Sequence, residues 1–98
     1  EVRSLGADNI PLSMASERKT GFIAVHLYYR AGSKDFFTKI ENIMDQFNGR
    51  PHWGKLHSLE STKLSKLYPR WTEFAEIREA LDPDGHFTNP YLERVLGY

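Results

Sequence analysis

The sequence predicts an α+β unit whose few strands complete a larger antiparallel sheet. Three observations point there. Two short stretches, Glu1–Leu5 and Gly21–Arg30, are strand-like, the second being a β-branched and aromatic run, GFIAVHLYYR. From Ser33 onward the apolar residues recur instead at helical spacing, interrupted by Pro, Gly and Asn. Two strands are too few to make an independent sheet beside so many helices, so further strands are expected from elsewhere. Ninety-eight residues allow one core at most.

Each element follows from its own residues. Glu1-Val2-Arg3-Ser4-Leu5 reads as strand from the first residue, as though a longer polypeptide continued before it, and a fragment is therefore expected. Gly6 to Thr20 carries Asn9, Pro11, Ser13, Ser16 and the charged triplet Glu17-Arg18-Lys19, which predicts a surface connection with little regular structure. In Gly21–Arg30, alternation places Ile23, Val25, Leu27 and Tyr29 on a core face. Phe22, Ala24, His26, Tyr28 and Arg30 fall on a face that turns polar.

Ser33 is positioned to cap a helix with Phe36, Phe37, Ile40, Ile43, Met44 and Phe47 along one stripe, stopped by Asn48-Gly49 and packed on the sheet. Arg50 to Lys55, RPHWGK, is an irregular loop. A short helix is expected from about Leu59 to Leu67, and Pro69 can begin another carrying Trp71, Phe74, Ile77, Arg78 and Leu81. Asp82-Pro83-Asp84-Gly85 makes a turn, and Asn89-Pro90 introduces a last helix over Tyr91, Leu92, Val95 and Leu96.

Composition excludes several function classes. Thirteen basic residues balance thirteen acidic ones, which argues against a nucleic-acid or anionic-membrane binder. The absence of cysteine removes disulfides, thiolate metal sites and thiol nucleophiles, and fits a reducing compartment. No run approaches the roughly 18–20 apolar residues of a membrane span, and the polar N-terminus has no signal-peptide core. The expectation is a soluble protein of the cytoplasm.

Candidate chemistry lies in four places. Glu1 and Arg3, two apart on a strand, set a carboxylate beside a guanidinium; spacing alone equally describes an exposed surface ion pair. His26 and Tyr28 share a strand face and would join that pair if the strands are neighbours, forming a pocket wall. The alternative is a hydrogen-bonded core histidine with a tyrosine at the sheet margin. Lys55 can bring an ammonium to a developing anion, with Gly54 permitting close backbone approach, or it is a solvated loop lysine. His52 and His57 do not form a helical HExxH pair, and no metal site is expected.

Gly49-Arg50-Pro51-His52-Trp53-Gly54-Lys55, with Leu67-Tyr68-Pro69-Arg70-Trp71, Leu81-Asp82-Pro83-Asp84-Gly85 and Phe87-Thr88-Asn89-Pro90-Tyr91-Leu92, resembles the C-terminal region of the aldonolactone and alditol oxidases. That group includes gulonolactone, arabinonolactone and xylitol oxidases of the vanillyl-alcohol-oxidase flavoprotein type. The resemblance covers nearly the whole chain. It implies that residues 1–98 form the substrate cap of a two-domain enzyme, whose N-terminal FAD-binding domain lies outside this chain, and that the chain alone is inactive. The implied substrate is a small polyol or sugar lactone oxidised at a CH–OH group, with oxygen as acceptor and hydrogen peroxide as product.

Carried onto this sequence, the resemblance makes Glu1, Arg3, His26 and Lys55 substrate-binding and catalytic residues, and puts Lys55 and His52 beside the flavin. Tyr28 departs from the alditol-oxidase pattern, where a smaller hydroxyl residue is expected two positions after the histidine, and this weakens the case for a polyol. The competing expectation is a stand-alone α+β module that binds a carbohydrate or a protein on the same polar face.

Overall fold

The computed structural model describes residues 1–28, 32 and 34–97. Strands β1 (Val2–Leu5) and β2 (Thr20–Ile23) pair antiparallel, with Val2 opposite Ile23, Arg3 opposite Phe22, Ser4 opposite Gly21 and Leu5 opposite Thr20. Helices α1 (Lys34–Asp45), α2 (Ser61–Leu67), α3 (Trp71–Leu81) and α4 (Pro90–Leu96) follow. The α+β expectation holds at this level: four helices and one two-stranded antiparallel sheet among the described residues.

The second strand is shorter than its sequence suggests. Backbone pairing runs one step past β2, where Glu1 N donates to Ala24 O at 3.1 Å and Ala24 N donates to Glu1 O at 2.8 Å. From Ala24 to Tyr28 the backbone is not strand. The expected alternation holds in part: Val25 and Leu27 are half-buried while Ala24, His26 and Tyr28 are exposed, but Ile23 is 58% exposed and Phe22 on the opposite face is half-buried. Among the described residues no helix packs on the Val2–Ile23 side, so alternation there sorts side chains without burying them. Tyr29, Arg30 and the proposed cap Ser33 lie outside the described residues.

The connection between the strands is more than a surface loop. Asp8 carboxylate oxygens accept from Ile10 N at 3.0 Å and Ser13 Oγ at 2.5 Å, folding the segment so that Ala15 and Ser16 are fully buried. Helix α1 ends where Asn48 adopts a left-handed φ of 52° and Gly49 N donates to Met44 O at 2.9 Å. A Cβ at residue 49 would lie 2.9 Å from both Cβ and O of Met44, which explains the glycine. The stripe on α1 does not pack on the sheet as expected: the helix has no buried residue, and Ile43 and Phe47 are 50% and 74% exposed. Polar contacts hold it instead, with Glu41 accepting from Ser58 N at 2.6 Å and Asp45 paired with Lys63.

The core belongs to the second half of the chain. Leu64, Leu67, Tyr68 and Val95 are buried where α2 meets α4 and α3, ringed by Leu12, Trp53, Leu59, Trp71, Tyr91, Leu92 and Leu96. Asn89 caps α4 by accepting from Leu92 N at 2.9 Å, Pro90 opens its first turn, and Gly97 closes it at φ 72°. Arg70, not Pro69, is the N-cap of α3, and Pro69 precedes the cap. The Asp82 turn forms as expected: its carboxylate accepts from His86 N at 2.8 Å and Phe87 N at 2.9 Å. Those bonds, Phe87's first, hold the Asp82 carboxyl below its ordinary range. The radius of gyration, 14.8 Å, exceeds the roughly 13 Å of a compact chain this long, because the ribbon and α1 stand away from the core.

Candidate active site

The loop after α1 is built on Arg50. Its Nε donates to Leu67 O at 2.8 Å, and one terminal nitrogen donates to Met14 O at 3.1 Å and Ser16 O at 2.9 Å. The guanidinium lies 4.8 Å from the Tyr68 ring centroid. A planar fork with several donors suits this task, tying the 12–16 turn, the end of α2 and the loop together. Burial, then the nearby Arg18, lowers the Arg50 pKa, while burial pushes Tyr68 up to about 12. Trp53 adds a second anchor, stacking on Tyr68 at 5.3 Å with its indole N–H donating to Leu12 O at 2.9 Å.

From this base the loop projects two further polar groups. Gly54 N donates to His52 Nδ1 at 3.0 Å, so that nitrogen accepts and the imidazole carries its proton on Nε2. Lys55 N donates to His52 O at 3.1 Å, which tightens the turn and leaves the Lys55 side chain exposed. Trp53, Gly54, Lys55, Leu56 and Tyr91 line a shallow, open depression here. An ammonium beside an indole and a phenol, with an imidazole N–H on the same loop, makes a surface of donors suited to an oxygen-rich or anionic ligand.

At the start of β1, Glu1 and Arg3 meet as expected, Arg3 Nε donating to Glu1 Oε1 at 2.6 Å. The pair is solvent-facing, with side chains 49% and 75% exposed respectively. The register sets Arg3 opposite Phe22 and Glu1 opposite Ala24, so the pair shares the face on which alternation placed Phe22 and Ala24. His26 and Tyr28 lie past the end of β2 and are exposed. Among the described residues no hydrogen bond or ion pair joins Glu1 or Arg3 to His26, His52 or Lys55. The structure thus groups these candidates as a Glu1–Arg3 pair, a His52–Lys55 loop and a separate His26.

Sequence reasoning missed the frame behind the loop. Tyr91 on α4 donates its hydroxyl to Trp53 O at 2.5 Å and meets His57 Nε2 at 3.1 Å. A carbonyl only accepts, so the Tyr91 proton points to Trp53 and His57 Nε2 supplies the proton of the second bond. His57 Nδ1 is buried with no hydrogen-bond partner among the described residues. Burial first, and then Arg94, lower the His57 pKa, with Glu41 acting the other way. Tyr91 stands 38 residues from Trp53, and no local spacing rule connects them.

The chain is similar to known proteins over nearly its whole length. The D-arabinono-1,4-lactone oxidase family matches residues 1–95. An L-gulono-1,4-lactone dehydrogenase of Mycobacterium tuberculosis is 46% identical over 97 residues, 99% of this chain and 23% of that protein. Mus musculus L-gulonolactone oxidase is 39% identical over 98% of the chain, and a Streptomyces alditol oxidase 32% identical over 98%, each again matched over 23% of its own length. The chain therefore spans about a quarter of the length of these relatives. With the match running from the Glu1–Arg3 strand to α4, the chain belongs to the D-arabinono-1,4-lactone oxidase family of oxidoreductases.

Proposed function

We propose that this chain forms the substrate cap of an FAD-dependent oxidoreductase that oxidises a CH–OH group of an aldono-1,4-lactone or alditol. The observation that carries the reading is the whole-chain match to lactone and alditol oxidoreductases, each about four times longer than this chain. In this reading the FAD domain lies elsewhere in the same polypeptide, and residues 1–98 alone turn over no substrate.

The loop chemistry fits such a cofactor on one side. Lys55 and the His52 Nε2–H are donors suited to the electron-rich edge of an isoalloxazine, while the shallow depression beside them offers a wall and no cradle. Bound FAD supplies the acceptor for the hydride leaving the substrate carbon. Lys55 and Arg3 then act on charge, their cations lowering the energy of negative charge on the substrate oxygen. Glu1 holds the Arg3 guanidinium and orients substrate hydroxyls. His26 accepts the hydroxyl proton at its imidazole. Oxygen is the final acceptor in this reading, with hydrogen peroxide as product.

The test uses the full polypeptide that carries this chain, with xylitol, sorbitol and aldonolactones as substrates. Flavin absorbance and substrate-dependent peroxide release are expected from it, and neither from residues 1–98 alone. Lys55→Ala and Arg3→Ala are each expected to lower kcat/KM by about 10²–10³-fold with flavin content unchanged. Normal turnover in both variants overturns the site assignment. Dye reduction without peroxide would move the enzyme to the dehydrogenase class, the name its M. tuberculosis relative bears.

A further inference from the structure

We propose that Tyr91 is a positioning residue that holds Lys55 at the tip of a doubly tethered loop. Both feet of the segment 53–57 meet one phenol oxygen: Trp53 O accepts from it at 2.5 Å, and His57 Nε2 lies 3.1 Å away. Lys55 is midway between those feet. Closing five residues onto a single atom removes most of the freedom that a glycine-containing loop otherwise has, and Gly54 sits inside this one.

The tether is itself held. Tyr91 belongs to α4, whose Val95 is buried in the core, and the His57 ring meets Tyr91 edge-on at 5.9 Å between centroids. Arg94, one turn along α4, lies 5.3 Å from the Tyr91 centroid and donates to Leu59 O at 2.7 Å, fixing the chain just after His57. On the other side, Trp53 is stacked on Tyr68. Burial, then Arg94 of α4, lower the His57 pKa and so favour the neutral imidazole, against the weaker opposite effect of Glu41 on α1. In the neutral ring the single proton resides on Nε2, where Tyr91 needs it. Tyr91 also lines the depression that Lys55 borders. One side chain thus forms part of the wall, and its hydroxyl sets where the ammonium stands along it.

This inference rests on the proposed role of Lys55, and its test separates the two. In the full polypeptide, Tyr91→Phe keeps the ring and removes both tethers. Trypsin cleavage after Lys55 is expected to rise about fivefold or more relative to cleavage after the exposed Lys19. His57→Gln, which retains a donor near Nε2, should keep the ratio low, and His57→Phe should raise it. An equal rise at both sites, or none, overturns the tether. For the reaction, Tyr91→Phe should lower kcat about ten- to hundredfold with KM little changed, and cost nothing further in a Lys55→Ala background. Additive losses overturn action through Lys55. If Lys55→Ala alone is harmless, the proposed function of Lys55 fails, and the tether is judged by the trypsin ratio.

Discussion

The β1–β2 ribbon and the α2–α4 cluster both carry large apolar side chains, yet their surroundings treat them differently. Val2 and Ile23 face each other across the ribbon and remain 76% and 58% exposed. Leu64 and Val95, on helices of only seven residues each, are 0% and 1% exposed. Seven residues are too few to make a helix stable by itself, so α2 and α4 exist because they pack. Among the described residues the ribbon has backbone pairing but no helix packed on its Val2–Ile23 side. In this chain, stability resides in the helical half, while the Glu1–Arg3 pair sits on the part that contributes least to it.

The sharpest way to break this comparison is to truncate one side chain in each region. Leu64→Ala should cost about 2–5 kcal/mol, whereas Val2→Ala should stay within about 0.5 kcal/mol, both read from denaturant melts. Comparable costs would mean that the ribbon shares the core. Arg50→Ala comes next. Removing a guanidinium that serves three carbonyls should cost about 2–3 kcal/mol, with Arg50→Lys restoring only part because an ammonium cannot reproduce the fork.

Gly97→Ala tests the end of α4. The left-handed φ of 72° and a Cβ position 2.7 Å from Ser61 Oγ both oppose a side chain, for about 1–2 kcal/mol. The smallest expected stability effect is that of pH on His57. Its folded pKa is lowered, so the unfolded chain binds the proton first, and stability falls as pH drops below the ordinary histidine value of 6.5 toward the folded value. Asp82, also lowered in the folded chain, acts in a separate window, its contribution being lost as pH falls below about 4. Thermal melts of wild type and His57→Gln between pH 7 and pH 5 check the first window, which the variant should flatten.

Local chemistry made much of the fold legible. Asn89-Pro90 opening α4, Asn48-Gly49 closing α1 and the Asp82 turn each follow from residues whose own backbone preferences decide the outcome. Alternation sorted Val25 and Leu27 from His26 and Tyr28, but it could not reveal that Ile23 has no helix packed over it among the described residues. The α1 stripe failed in the same way: periodicity announces an apolar face without naming its partner. In the candidate site, RPHWGK marked the loop, but the grip of Arg50 on Met14 and Ser16 spans more than thirty positions and is invisible to any window. Tyr91 escaped notice because its aromatic ring already accounted for it as part of a helical stripe.

The two cations of that loop also stand in opposite relation to dissolved ions. Arg50 is half-buried and saturated with short contacts, where screening has little reach, whereas Lys55 faces the solvent. Added electrolyte, with a screening distance of about 10 Å at 0.1 M and about 3 Å at 1 M, should weaken the action proposed for Lys55 on negative charge developing at the substrate oxygen while the melting temperature barely moves. Ionic strength thereby becomes a dial that turns catalysis without turning folding.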